Sequence, residues 1–112
     1  MTFRTMTSLF VITLAFTART ALAQGDAKEG AKVYTKQKCQ VCHSIAGKGS
    51  KANPLDGVGA KLSADETKQW IVNPTEMAAK AKSTKKPPMP AKFASLPAAD
   101  LDGLVAYMQS LK

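Results

Sequence analysis

The sequence predicts an all-α domain, three to four helices joined by long loops. Three observations lead there. Leu101, Leu104, Val105, Met108 and Leu111 recur at helical spacing and fall on one face of a single helix. Asp26 with Glu29, and Ser63 with Glu66, have the spacing of capping boxes at helix starts. No stretch shows the strict apolar–polar alternation of a strand.

In chain order, residues 1–23 come first. Arg4 supplies a positive n-region, residues 9–16 (LFVITLAF) a short apolar core, and Ala21-Leu22-Ala23 an A-x-A cleavage site. That is the pattern of a secretory signal peptide, removed to leave one domain at 24–112. The apolar run is far shorter than the ~20 residues of a spanning helix, so no membrane insertion is expected after cleavage. A first helix is expected from about Ala27, with Ala31, Tyr34 and Lys38 at helical spacing, running into residues 39–43. Residues 44–59 are rich in Gly, Lys and polar groups and read as a loop. The helix opened by Ser63 carries Trp70 and Ile71 and is expected to stop near Asn73, because Pro74 follows. Residues 80–92, dominated by Lys and Pro, have little capacity for regular structure. The last helix is expected from about Pro97, a good first-turn residue. Gly103 inside it costs helix stability, which a close helix–helix contact would explain.

Charge bounds the partners. The chain is 112 residues long with net charge +8, and the loss of Arg4 and Arg19 brings this to +6. All remaining positive charge is lysine, without the Arg and aromatic interleaving of nucleic-acid modules. A lysine-rich surface suits long-range, salt-sensitive steering toward acidic partners. The domain is small enough to need a staple or cofactor, and only 6% of the chain is aromatic. A monomer is expected.

The chemistry is concentrated in Cys39-Gln40-Val41-Cys42-His43, which holds both cysteines and the single histidine. C-x-x-C-H is the pattern for covalent attachment of a c-type haem. Cysteines three apart lie on the same side of a helical turn, so both thiols can reach two vinyl groups on one porphyrin edge. The adjacent imidazole can then face the iron. A thioredoxin-like pair would want a βαβ unit around it, and structural zinc needs four ligands where this chain has three Cys and His together. A structural disulfide, or free thiols beside a surface His, is the plainest alternative.

With His43 used and no second His in the chain, a Met thioether is the next candidate for a second axial ligand; otherwise the position stays open. Residues 24–112 contain Met77, Met89 and Met108. Met108 sits on the apolar face of the last helix and reads as core filler. Met89 lies in Lys86-Pro87-Pro88-Met89-Pro90, where three prolines stiffen the chain around it. A neutral thioether binds well only when held in place, which favours Met89; Met77 and an open site are the alternatives.

Taken together, the chain resembles the small monohaem class I cytochromes c of exported bacterial type. The resemblance spans residues 25–112. It rests on Cys39-x-x-Cys42-His43, Gly30 and Tyr34, Pro54-Leu55-Asp56-Gly57-Val58-Gly59, Trp70-Ile71 before Asn73-Pro74, Pro88-Met89-Pro90, and Leu104-Val105-Ala106-Tyr107. It implies the class I cytochrome c fold, with helices and loops wrapped around one covalent haem c. It implies thioethers at Cys39 and Cys42, His43 as proximal ligand and Met89 as distal ligand. Pro54 would offer its carbonyl to the far nitrogen of His43, and Gly30 and Tyr34 would meet Leu104 and Tyr107 where first and last helices cross. The implied function is one-electron transfer between redox partners, without enzymatic activity; the signal pattern predicts a periplasmic location, and the lysines suit partners with acidic docking surfaces. The rivals are a haem enzyme or gas sensor with an open distal site, and a cytochrome subunit of a larger oxidase or dehydrogenase. No His remains to serve as a distal acid or base.

Overall fold

A computed structural model describes residues 25–112, and the expected signal segment lies outside these. The helix order is α1 (Ala27–Lys36), α2 (Val58–Lys61), α3 (Ala64–Val72), α4 (Pro74–Lys80) and α5 (Ala98–Ser110). Single 3-10 turns lie at Cys39–Val41 and Ala91–Ser95. A small antiparallel ladder, β1 (Ser44–Ile45) with β2 (Lys48–Gly49), interrupts the α pattern.

The caps behave as their chemistry requires. Ser63 accepts from the Glu66 N–H at 3.1 Å, and Glu66 returns a bond from the Ser63 N–H at 3.2 Å. Asp26 caps α1 through the Lys28 N–H at 2.8 Å, while Glu29 instead pairs with Lys32. The first helix ends at Lys36, short of the Cys–His motif, because Lys38 turns into the left-handed region at φ 58°. Pro74 stops α3 but opens α4 as its first residue, a position where its missing N–H would be unpaired in any case. Its side chain is fully buried there.

The two strands escaped the sequence reading because two residues cannot show alternation. They are joined by Ala46-Gly47, both at positive φ (52° and 77°), as a two-residue hairpin turn of right-handed twist demands.

α1 crosses α5, and the core forms along that crossing and under α3. Val33, Tyr34, Ile71, Phe93, Leu101, Leu104 and Met108 are its buried apolar members. The Tyr34 and Tyr107 rings meet edge to face, 5.8 Å apart at 74°. α3 is tied to α5 by Gln109 Nε2, which donates to the Leu62 carbonyl (3.0 Å) and to the hydroxyl of buried Thr67 (3.1 Å). α2 is tied to the end of α5 by Gly59, whose N–H donates to Leu111 at 2.7 Å. Burial of each of Leu101, Leu104 and Met108 stabilises the fold by about 1.5–3 kcal/mol. These elements surround a cleft that the protein's own side chains do not fill.

Candidate haem-attachment site

The Cys–His motif is wound as a 3-10 turn. The N–H groups of Cys42 and His43 both donate to the Cys39 carbonyl, at 3.1 and 2.9 Å. In 3-10 geometry residues i and i+3 eclipse, so Cys39 and Cys42 stand on one side of the turn. Both are free thiols. Cys39 is half-buried in the cleft wall and Cys42 is exposed, with Val41 between them turned outward at 69% exposure. Burial pushes the Cys39 thiol upward from its usual pKa.

The hairpin holds this turn from behind. The Ser50 N–H is shared between the Gln40 and His43 carbonyls, each at 3.0 Å. Gly49, at φ 105°, passes so close that a Cβ there would collide with the His43 carbonyl.

His43 is fixed by one hydrogen bond. Its Nδ1 lies 3.0 Å from the Asn53 carbonyl oxygen. A carbonyl can only accept, so the bond places the ring proton on Nδ1 and leaves the Nε2 lone pair free, the tautomer a metal ligand needs. The expected partner was the Pro54 carbonyl; the residue used is Asn53. The reason is backbone alternation. Ser44 and Pro54 form a parallel bridge, in which Leu55 N–H donates to Ser44 (2.8 Å) and Ser44 N–H donates to Asn53 (3.4 Å). With the Asn53 carbonyl aimed at Ser44 and His43, that of Pro54 is aimed the other way. Pro54 itself is exposed. Asn53 also donates from Nδ2 to the Cys42 carbonyl at 3.2 Å, so one residue braces both Cys42 and His43.

The cleft holds about 170 Å³, and its lining is almost wholly apolar. Cys39 and His43 form part of one wall; Leu55, Val58, Leu62, Trp70, Ile71 and Leu104 make most of the remainder. Of the three candidate thioethers, Met89 and Met108 reach this cleft, while Met77 is not among its lining residues. Met108, 5% exposed, is core filler as expected. Met89 is held differently. From Ala79 to Lys92 every residue is exposed except Met89, which alone turns inward against the core.

Tyr34 supplies the last lining feature. It is 8% exposed, and its hydroxyl has no hydrogen-bond partner among the described residues. Burial pushes this hydroxyl up to about 12. Removing an unpartnered buried hydroxyl relieves its desolvation cost, so Tyr34→Phe is expected to leave stability unchanged or raise it by up to ~1 kcal/mol at pH 7. Above pH ~10 the unfolded tyrosine ionises while the folded one resists, so the folded state loses ground from there to pH ~12. Tyr34→Phe should remove that alkaline loss, and denaturant midpoints at pH 7 and pH 11 measure both effects.

An apolar cleft walled in part by Cys39 and a ligand-ready imidazole, a second thiol three residues on in the same turn, and an inward thioether together fit a covalently held haem. Among the described residues no three His, Cys, Asp or Glu side chains converge as a metal-holding group of their own. The chain has no significant match among curated proteins or solved structures. The family model described as cytochrome c matches residues 27–112, which covers every helix and the whole cleft. The chain belongs to the cytochrome c family.

Proposed function

We propose that this chain is a periplasmic one-electron carrier, with haem c attached through Cys39 and Cys42 and ligated by His43 and Met89. The haem supplies ferrous–ferric chemistry when bound. His43 Nε2 is presented to the cleft by the Nδ1 bond to Asn53. The observation that most strongly supports the reading is the inward turn of Met89, into the same cleft as His43, from an otherwise exposed stretch. With His43 and Met89 both holding the iron, a substrate would find no place on it. A neutral thioether and an apolar surround both disfavour the added charge of the ferric state and raise the potential.

Export rests on the signal pattern of residues 1–23. Among the described residues no helix is long and apolar enough to cross a membrane. Docking to acidic redox partners is supported by how the charges are spread. Between Glu76 and Asp100 the sequence has no acidic residue but carries Lys80, Lys82, Lys85, Lys86 and Lys92. We read the protein as a monomer that acts by transient encounters.

The test is the visible spectrum of the holoprotein, with partner kinetics. A c-type reduced band, an iron–thioether band when oxidised, and partner rates that fall steeply between low and high salt are expected. A high-spin ferric spectrum, with ready carbon monoxide binding when reduced, would instead indicate an open site and the enzyme or sensor alternative. Rates insensitive to salt would overturn the acidic partner.

A further inference from the structure

The stretch at 84–90 has few ways to fasten itself. Pro87, Pro88 and Pro90 have no N–H to donate. Among the described residues, a single hydrogen bond joins this stretch to a distant part of the chain: Lys85 Nζ donates to the Ala52 carbonyl at 3.0 Å, across 33 residues. Its other bond, from the Lys85 N–H to the Ser83 hydroxyl, is local. Ala52 immediately precedes Asn53, whose carbonyl holds His43 and whose side chain holds Cys42. The bond thus links a point four residues before Met89 to the segment that orients the imidazole.

We propose that Lys85 is a positioning residue for the distal ligand: it clasps the methionine stretch to the histidine loop and so keeps Met89 turned into the cleft. The proposal rests on the His43/Met89 reading above. The lysine suits the task through reach and donor capacity, since its ammonium can only donate and a carbonyl can only accept. Charge is not what the clasp uses, and neighbouring Lys86, with the same charge, makes no such bond among the described residues.

The test is imidazole titration of the ferric holoprotein, followed by loss of the iron–thioether band. Lys85→Ala should raise the apparent imidazole affinity about fivefold, the effect of losing one net hydrogen bond from the ligand-closed form. Lys86→Ala, an equal change in charge, should leave it unchanged, and Lys85→Arg should return it toward wild type. The urea midpoint of the whole domain should hardly move in any of the three, which separates a local clasp from general stability. Equal imidazole affinity in the two alanine variants would overturn the clasp alone. A wild-type protein with no iron–thioether band would overturn the Met89 reading, and the clasp with it.

Discussion

Met89→Ala is expected to abolish the iron–thioether band and to lower the reduction potential by on the order of 0.1–0.3 V, a fraction of the ~0.8 V that axial ligands span. If Met89 is the ligand proposed above, its loss would admit water, hydroxide or an added ligand, each of which favours the ferric ion more. The size of the effect follows from the absence of a substitute. Met77 is not among the residues that line the cleft, and Met108, which does line it, is 5% exposed and packed into the core. Met77→Ala should therefore leave band and potential intact. Met108→Ala should keep the band but destabilise the domain by about 2–5 kcal/mol, as expected when a buried methionine is truncated. Oxidised spectra, voltammetry and urea midpoints of the three variants separate the roles. A band that survives Met89→Ala and disappears with Met77→Ala would move the ligand to Met77.

Gly30→Ala is expected to cost more than about 3 kcal/mol, enough to leave a domain of ordinary marginal stability largely unfolded. Gly30 lies where α1 crosses α5, and a Cβ there would collide with the Gly103 carbonyl and stand 2.8 Å from the Tyr107 Cβ. The first obstacle is backbone, which cannot rotate aside as a side chain can, so the helices must part. Gly103, the other glycine of the crossing, is less constrained. A Cβ on it would meet the Gly30 nitrogen at 3.2 Å and the Asp26 carbonyl oxygen at 3.4 Å. Gly103→Ala also gains about 1 kcal/mol of helix propensity in α5, so a net change within ~1 kcal/mol is expected. Denaturant midpoints of the two ferric holoproteins give the comparison. Equal losses would mean that the crossing is tight from both sides.

That asymmetry shows what the sequence could disclose. Gly103 was recognisable as a contact glycine because it sits inside a strongly periodic helix, yet only the placed backbones reveal that Gly30 is the tighter of the two. The starts of α1, α3 and α5 were legible because capping and periodicity are local chemistry. α4 is not legible because a proline that ends one helix can also begin the next, and the residues around Pro74 show only the first property. The hairpin at 44–49 was missed because Ala46-Gly47 is a weak turn signal and its strands are two residues long. In the site, residue types and spacing single out Cys39, Cys42, His43 and Met89, and the structure sets Cys39, His43 and Met89 on one cleft. Asn53 was not foreseen, since which of two adjacent carbonyls faces an imidazole depends on strand parity, fixed by the bridge between Ser44 and Pro54. Lys85 left no signal at all, because its partner is 33 residues away and is a main-chain atom.

The exposed stretch from Ala79 to Lys92 enters the interior through one side chain. Selection acting there has little to hold constant: a thioether, the stiffness around it and a donor that reaches the opposite loop. Other positions in the stretch touch mainly water, so substitutions there are free to accumulate, and with them the pattern of charge offered to passing proteins. On the function proposed above, a lineage could in this way change the company its cytochrome keeps without disturbing the metal, because the surface offered to partners and the thioether offered to the iron would belong to the same short segment but face opposite ways.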